Sequence, residues 1–299
     1  MVGECQLRRD TRRQHDVETH SNASLRLGQV DFINCLPINF VVESGVTGVH
    51  AKLINAVPSE LNKMILSNEI DIAPVSSLTY LENKNKLVPV GNLCIACDGP
   101  ADSVLLFSKY PLDELNDSKV ALSSASATSN KLLEIIFKIF LKLDVSFELE
   151  GMVNHAPTMI GSKYQAALHI GDDALIEFSK KPRNVFVYDL GSLWKKYTGL
   201  PMVFGMWAVR KEIHEKYLHE VKTITSQLKI AMHLGLDAML DKVIRQAQEK
   251  VLLSKEFYQI YFKHLRYEFT DECRLGLDTF EKYCLLPAMA SYSAGSAVT

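Results

Sequence analysis

Short apolar runs alternate with longer stretches of helical periodicity along most of this chain, from residue 25 to residue 287. Apolar runs of about 4–8 residues between turn-forming residues are typical of buried strands, whereas apolar positions every three or four residues are typical of helices. Runs of the first kind predict strands at 25–32, 49–54, 70–75, 87–97, 103–108, 119–122, 145–149, 166–170, 185–188 and 202–209. Because helical stretches separate many of these runs, the pattern predicts an α/β fold.

The pattern changes after Arg210, where strands almost vanish. Over residues 212–285 the apolar positions follow a helical period, as at Val221, Ile224 and Leu228. We therefore predict two α/β lobes, with helices forming the C-terminal part. Ligands of such folds bind beyond the carboxyl ends of the strands, often between lobes, so we expect a ligand cleft there.

Length and charge narrow the range of partners. The chain has 299 residues, which at about 150 residues per domain favours two domains. Lys and Arg total 33 and Asp and Glu total 35, which leaves a formal charge of −2. Such a balance offers no attraction for nucleic acid or an anionic membrane, and we expect neither as a partner. The most apolar stretch, 200–209, is too short for a bilayer span of about 20 residues.

The two ends of the chain are polar. Arginines at positions 8, 9, 12 and 13 are followed by a polar stretch rather than by the apolar core of about 7–15 residues that an export signal needs. We therefore expect a disordered N-terminal extension over residues 1–24, a flexible tail over 288–299 and a cytoplasmic protein. A basic docking arm is the alternative for residues 1–24, although Asp10, Asp16 and Glu18 interrupt its positive charge.

The cysteines predict neither disulfides nor a metal site. Six cysteines in a chain of this length do not form a disulfide framework. Cys94 and Cys97 form a CxxC pair, but the second pair or spaced histidines of a zinc site are missing, which favours packed thiols in a buried strand. No phosphate loop or dinucleotide fingerprint occurs in the sequence either, so we expect no metal and no cofactor.

Four predicted strand ends are rich in small polar residues. The first three hold Asn34, Ser76 and Ser103. Asn34 fits a helix cap as well as an amide that faces the cleft, and each serine, taken alone, fits ordinary turn chemistry. The fourth holds Ser126, Thr128 and Ser129 at the start of a long predicted helix. Unpaired N–H groups at a helix start bind carboxylate or phosphate, which favours an anion site there over a plain cap.

Gly171 and Asp172 stand at a second strand-to-helix junction of the same predicted lobe. Four acidic residues near these junctions are predicted to have structural roles. Asp31 is predicted to point away from Asn34, Asp98 and Asp102 to serve a Gly-Pro turn, and Asp172 to cap a helix. The residues alone therefore predict a two-lobed binder of a small anion, which fits a solute-binding protein as well as an enzyme.

Seven segments at these junctions, in order, resemble the chorismate dehydratases of the futalosine route to menaquinone. The segments are 30–37, 71–77, 97–104, 126–129, 170–175, 189–194 and 198–208. The similarity covers about residues 25–285 and is poor at 151–161, around His155. It implies a type II periplasmic-binding-protein-like fold with a ligand cleft between the lobes. We expect lobe 1 to comprise 25–107 and 202–287, and lobe 2 to comprise 108–201.

The resemblance also implies an activity, a lyase reaction in which chorismate loses water to give 3-[(1-carboxyvinyl)oxy]benzoate. It implies catalytic roles for Asn34 and Ser103, and substrate binding by Ser76, Ser126, Thr128, Ser129, Gly171 and Asp172. The substrate's own side-chain carboxylate is expected to take the proton, and Asp172 is the protein's candidate for that role. Two alternatives remain at this point: 1,4-dihydroxy-6-naphthoate synthase of the same route, and a non-catalytic solute-binding protein.

Overall fold

The computed structural model describes residues 24–150 and 163–290. The expectations for residues 1–23, for the stretch around His155 and for residues 291–299 lie outside the described residues.

The described strands form two sheets. In chain order they are β1 (Arg26–Val30), β2 (Lys52–Ala56), β3 (Ile72–Ser76), β4 (Leu87–Cys97), β5 (Val104–Ser108), β6 (Lys119–Ser123), β7 (Ser146–Glu150), β8 (Ala166–Ile170), β9 (Phe186–Asp189), β10 (Met202–Arg210) and β11 (Leu265–Glu268). The first sheet has the order β11-β4-β10-β3-β1-β2, and the second has the order β7-β6-β8-β5-β9. The α/β class predicted from the alternating pattern is confirmed.

Helices cover the sheets and form most of the C-terminal part. In chain order they are α1 (Leu36–Glu43), α2 (Pro58–Leu66), α3 (Ser77–Glu82), α4 (Ala127–Ile135), α5 (Gly171–Ser179), α6 (Leu190–Thr198), α7 (Lys211–Lys216), α8 (Leu218–Leu236), α9 (Leu240–Lys250), α10 (Lys255–His264), α11 (Asp271–Cys284) and α12 (Pro287–Ala290). A π-helical turn, Ile136–Leu141, continues α4 and ends at Lys142, whose φ is 57°. Within the described ranges, no helix is both long and apolar enough to cross a membrane.

The first sheet mixes parallel and antiparallel pairing. Strands β1, β2 and β3 run parallel, as βαβ units require, and β10 runs antiparallel to both β3 and β4. Every residue of β3 is buried, which is why this strand is a continuous apolar run in the sequence rather than an alternating one. Parallel strands end on one side of the sheet, so the residues that follow β1 and β3 lie together at that edge.

The chain crosses from the first sheet to the second earlier than predicted. Strand β5 pairs with β8 and β9 in the second sheet, so the crossing lies at residues 98–103 and the expected boundary after residue 107 is wrong. An apolar run such as 104–108 fits either sheet, because hydrophobicity does not specify a pairing partner. The chain returns at residues 190–201, before β10, close to the expected position.

The two crossings pack directly against each other. The Asp189 carboxylate accepts hydrogen bonds from the backbone N–H groups of Ala101 and Asp102, with N···O distances of 3.0 and 2.7 Å to Oδ2. Gly191 in the second crossing has no room for a side chain, because a Cβ there would lie 2.4 Å from Cys97 Sγ. The link between the sheets is therefore a bonded pair of segments.

One strand was missed in the C-terminal part. Strand β11 joins the edge of the first sheet by pairing with β4, although residues 212–285 were predicted to be helical. It is four residues long and lies between α10 and α11, so it is too short to interrupt a helical pattern. Its position matters for function, since β11 contributes Leu265 to the wall of the cleft described below and α10 lies behind that wall.

Candidate functional site

A cleft of about 670 Å³, counted to its solvent-exposed mouth, lies between the two sheets. Both sheets contribute to its wall, and most of that wall is apolar, including Phe32, Ile95, Val104, Ile170, Phe204 and Leu265. The polar side chains on the wall are those of Asn34, Ser76, Ser103, Ser126 and Ser129. A largely apolar cleft with a few convergent polar groups is typical of a small-molecule site.

Asn34 lines this cleft and has an unused amide oxygen. It lies in a 3-10 turn, Ile33–Cys35, between β1 and α1, and its Oδ1 is buried with no hydrogen-bond partner in the described part of the chain. Its side chain caps no helix, since Cys35 occupies the cap position of α1 without a side-chain bond. Of the two interpretations of Asn34, the structure favours the cleft-facing amide, because a buried polar atom without a partner is costly unless a ligand satisfies it.

Ser103 lies at the end of the first crossing, on the opposite wall. Its Oγ is 3.0 Å from the hydroxyl of Tyr261 and 3.3 Å from the carbonyl oxygen of Ala101. Its own carbonyl accepts a hydrogen bond from the Gly171 N–H at 2.7 Å. The structure therefore brings Ser103 and Gly171 together on the cleft wall.

Gly171 is required by its backbone and by its neighbour. Its φ is +58°, and a Cβ built there would lie 2.7 Å from the ring of Phe32 on the facing sheet. The strand-to-helix junction of α5 thus approaches the first sheet too closely for any side chain at this position.

Ser76 and Ser126 are matching helix caps on the two sides of the cleft. Ser76 Oγ accepts from the Thr79 N–H at 3.2 Å and donates to the Thr79 hydroxyl at 2.8 Å. Ser126 Oγ accepts from the Ser129 N–H at 3.1 Å and donates to the Ser129 hydroxyl at 2.9 Å. Both caps line the cleft, but their hydroxyls are already engaged, so a ligand there meets mainly backbone N–H groups.

Thr128 is not brought to the cleft. Its side chain is fully buried, and its hydroxyl accepts a hydrogen bond from the Leu78 N–H at 2.9 Å. Leu78 belongs to α3, next to the first sheet, so Thr128 joins the two lobes rather than lining the site. The predicted contact of Thr128 with substrate is therefore unsupported by its position, because α4 turns this residue toward α3.

Asp172 also connects the two lobes rather than lining the cleft. Its Oδ1 accepts from the Ile33 N–H at 2.8 Å, and its Oδ2 lies 3.4 Å from Lys250 Nζ. It does not cap α5, since Ile170 occupies the cap position and makes no side-chain bond, so that interpretation is wrong. Burial is the main cause that raises the pKa of Asp172, opposed by the Ile33 N–H and by Lys250. Lys250 also pairs with Asp31 at 2.6 Å.

The acids of the first crossing contact Arg266 and His264 instead of serving their own turn. Asp98 Oδ2 accepts from Arg266 at 2.6 Å, and Asp102 Oδ2 lies 2.6 Å from His264 Nδ1. The backbone of that turn is bonded by Asp189, whose position in the sequence gave no indication of this role. The prediction for Asp98 and Asp102 is therefore wrong, because groups distant in sequence reach them.

The described part of the cleft wall is electrically neutral at ordinary pH. None of the described residues that line it is Lys, Arg, His, Asp or Glu. The titratable side chain among them is the thiol of Cys35, and burial raises the pKa of that thiol to about 12. In the described ranges no group of three His, Cys, Asp or Glu residues is arranged to hold a metal ion. Cys94 and Cys97 are buried thiols, and Cys97 Sγ lies 3.1 Å from the Gly99 carbonyl.

Two residues of the site were missed by the sequence analysis. The Tyr261 hydroxyl contacts Ser103 Oγ, and the Tyr267 hydroxyl donates to the Asn34 carbonyl at 2.8 Å. Both tyrosines lie in the C-terminal part, where aromatic residues at helical spacing are typical of core packing. Nothing in the local sequence distinguishes them from such core residues.

The fold and the cleft define a class of protein first: a two-lobed α/β protein of the periplasmic-binding-protein type. A protein from Archaeoglobus fulgidus superposes with a TM-score of 0.71 and 14% identity, over 89% of this chain and 98% of that one. The periplasmic aliphatic sulphonate-binding protein of Escherichia coli superposes with a TM-score of 0.62 and 13% identity, over 88% of each chain. At these identities the likeness concerns the fold alone.

The particular family follows from the sequence. The family model described as menaquinone biosynthesis matches residues 25–285, and this chain belongs to that family. A chorismate dehydratase of Thermus thermophilus is 32% identical over 79% of this chain and 88% of its own length. A chorismate dehydratase of Campylobacter jejuni is 28% identical over 64% of this chain and 72% of its own. A 1,4-dihydroxy-6-naphthoate synthase of Thermus thermophilus is 23% identical over 75% of each.

Proposed function

We propose that this protein is a chorismate dehydratase, a lyase that converts chorismate to 3-[(1-carboxyvinyl)oxy]benzoate and water. The observation that carries the proposal is the pair of neutral hydrogen-bonding groups, Asn34 Oδ1 and Ser103 Oγ, on the wall of an apolar cleft. These are the two residues to which the family resemblance assigns catalytic roles. The chorismate dehydratases also match this chain at higher identity than the naphthoate synthase does.

The reaction needs a proton acceptor and a way to release hydroxide. A proton leaves the ring carbon that bears the enolpyruvyl ether, and the electron pair of that C–H bond forms the new ring double bond. The neighbouring hydroxyl leaves as hydroxide with the electron pair of its C–O bond and is protonated to water, and the ring becomes aromatic. Asn34 and Ser103 cannot accept a proton at neutral pH, and the raised pKa of Cys35 keeps its thiol protonated. We therefore propose that the substrate's enolpyruvyl carboxylate takes the proton and that the lining groups orient it and exclude water.

Substrate recognition in this proposal uses neutral donors. Chorismate carries two carboxylates, and the start of α4 offers backbone N–H groups beside Ser126 and Ser129 on the cleft wall. Helix N-termini bind carboxylates through these groups and through the helix dipole. Ser76 and Gly171 complete the proposed binding residues on the wall. The cytoplasmic location and the lack of a cofactor, both expected from the sequence, remain predictions.

Incubation of the purified protein with chorismate, followed by the absorbance and mass of the aromatic product, tests the function. Formation of 3-[(1-carboxyvinyl)oxy]benzoate supports the dehydratase. Binding of chorismate without turnover would instead identify a solute-binding protein. If chorismate were neither bound nor converted, the protein would next be tested with the substrate of the naphthoate synthase.

A second experiment tests the proton acceptor. Asp172 is the protein side chain that competes with the substrate's enolpyruvyl carboxylate for the role of base. Its Oδ1 already accepts a hydrogen bond from the Ile33 N–H. Substrate-assisted chemistry predicts that Asp172→Asn stays active, while chorismate with its enolpyruvyl carboxylate converted to an amide binds without reacting. An inactive but chorismate-binding Asp172→Asn, together with a reactive amide, would make Asp172 the base.

A further inference from the structure

Two buried tyrosines of the C-terminal part stand directly behind the two cleft residues proposed to be catalytic. Tyr261 in α10 reaches the side chain of Ser103, whereas Tyr267 in β11 reaches the backbone of Asn34. Both rings are almost fully buried, and neither lines the cleft. The contact of Tyr261 is the informative one, because it involves the side-chain hydroxyl of a residue that lines the cleft.

In the Tyr261–Ser103 hydrogen bond the phenol is the donor. Burial raises the pKa of Tyr261 well above its usual value, so the phenol keeps its proton. Ser103 Oγ, 3.0 Å away, is the acceptor that this buried hydroxyl reaches within the described residues. The serine's own proton then points elsewhere, and the Ala101 carbonyl is 3.3 Å away. This distance exceeds the usual O–H···O distance of about 2.7–2.8 Å, so the serine proton is weakly held and can turn to a ligand.

We propose that Tyr261 is a positioning residue, which donates to Ser103 Oγ and thereby makes Ser103 a hydrogen-bond donor toward the substrate. The inference rests on the proposed function, since the acceptor is an oxygen of bound chorismate that gains negative charge during elimination. A donor held in place before the reaction stabilises such charge without reorganisation. Without Tyr261 the Ser103 oxygen loses its donor, the long contact with the Ala101 carbonyl alone orients the hydroxyl, and the serine can offer a lone pair as well as a proton.

Helix α10, which contains Tyr261, also contacts Asp102, the residue before Ser103. His264, one turn after Tyr261 in α10, places Nδ1 2.6 Å from Asp102 Oδ2. Asp102 has a φ of 57°, a left-handed conformation that a non-glycine residue rarely adopts without support. Helix α10 therefore contacts two consecutive residues of the first crossing, which orients Ser103 through both its backbone and its hydroxyl.

The variant Tyr261→Phe tests the proposal, and Tyr258→Phe is its matched control. Tyr258 lies one turn earlier in α10, is equally buried, and donates to the Val251 carbonyl at 2.7 Å, away from Ser103. We expect Tyr261→Phe to lower kcat about tenfold with KM within about twofold, the effect of one hydrogen bond made in the transition state. Tyr258→Phe should lower the melting temperature but leave kcat unchanged. Equal kcat values for the two variants would overturn the proposal, because both lose a buried hydroxyl.

A double-mutant cycle separates positioning of Ser103 from a general loss of order. In a Ser103→Ala background, Tyr261→Phe should change kcat by less than about twofold, since two residues that act through one bond are not additive. A further loss of about tenfold in that background would overturn the proposal. Tyr261→Met is smaller but flexible and has no hydroxyl. The same result is expected for it, and it replaces the Phe variant if that variant does not fold. A wild-type protein that does not convert chorismate refutes the proposed function, whereas an active wild type with a fully active Tyr261→Phe refutes only this inference.

Discussion

The cleft holds two sets of polar residues that look alike in sequence and differ in how their hydrogen bonds are used. The first set consists of Asn34 and Ser103, and each has one atom that a ligand can use. Asn34 Oδ1 has no partner in the described ranges. Ser103 Oγ lies 3.3 Å from the Ala101 carbonyl oxygen, so its proton is only weakly held. In the second set, Ser76 and Ser126 each bond both the amide and the hydroxyl of the residue three positions on. Asn34, Ser76 and Ser126 each lie between a strand and a helix, whereas Ser103 lies between strands β4 and β5.

This difference indicates what a polar residue between two elements needs in order to bind a ligand. Folding must leave its hydrogen-bonding capacity unused, which costs stability and requires support from elsewhere, here from Tyr261 and Tyr267. Thr128 and Asp172 belong with the second set, because their acceptor atoms are taken by the N–H groups of Leu78 and Ile33. Substitutions in the first set should therefore lower activity, and substitutions in the second set should lower stability.

The largest expected effect is that of Asn34→Ala on turnover. We expect kcat to fall by at least about 100-fold, as when a preorganised polar group of an active site is removed. The free energy of unfolding should change little, because Asn34 Oδ1 has no partner to lose in the described part of the chain. Enzyme assays and urea denaturation measure the two effects.

Asn39→Ala is the matched control for Asn34→Ala. Asn39 is buried in α1 and donates to the Val30 carbonyl at 2.8 Å, so its loss should cost about 1–3 kcal/mol of stability with turnover largely retained. If Asn34→Ala lowered stability as much as Asn39→Ala and left turnover intact, the distinction between the two sets would fail.

Thr128→Val should have the next largest effect, on stability. The change keeps the shape of the side chain but leaves the Leu78 N–H without its acceptor, at a cost of about 2 kcal/mol. Turnover per folded molecule should stay within about threefold, since a residue outside the cleft wall removes no transition-state interaction. Urea denaturation and chorismate assays check both values. Lost chorismate binding at unchanged stability would return Thr128 to the binding residues.

Ser126→Ala should have a smaller effect of the same kind. Removal of the cap of α4 should cost about 1 kcal/mol of stability. KM for chorismate should rise by less than about tenfold, because the backbone N–H groups at the helix start remain. Thr270→Ala, which removes the cap of α11 away from the cleft wall, should cost a similar amount and leave KM unchanged. A larger rise of KM in Ser126→Ala would place its hydroxyl in the first set.

Asp172→Asn should have the smallest effect, seen as a dependence on pH. Burial raises the pKa of Asp172, so between its ordinary and its raised value the folded protein binds more protons than the unfolded one, and stability falls as pH rises. Relative to wild type, Asp172→Asn should therefore gain stability as pH increases through this range. Thermal unfolding at a series of pH values measures the difference.

Asp241→Asn should change stability with pH in the opposite direction from Asp172→Asn. A hydrogen bond from Lys255 lowers the pKa of Asp241, so its contribution to stability is present above the ordinary pKa and lost as pH falls through the lowered one. Relative to wild type, this variant should lose stability as pH increases from the acid range. The same slope in both variants would contradict the assignment of Asp172 to a buried environment.

Much of the fold could be predicted because its determinants are local. Apolar runs such as 70–75 and 202–209 match the observed strands β3 and β10 to within two residues at each end, and polar residues that follow such runs line the cleft. Predictions that depended on a contact with a distant part of the chain failed more often. The run 104–108 was assigned to the wrong sheet, β11 was missed, and Asp172 was interpreted as a helix cap.

The sequence by itself determined the α/β class, the strand ends at which Asn34, Ser103 and Gly171 meet, and the membership of the family. Each of these depends on periodicity, on turn chemistry or on matched segments, which are properties of short stretches of chain. Only the tertiary structure decided which polar atoms remain free, because that depends on contacts such as Tyr261 with Ser103, 158 residues apart. A hydrogen bond between distant residues leaves no trace in the local pattern, so the difference between a cap and a binding group becomes visible only in the folded chain.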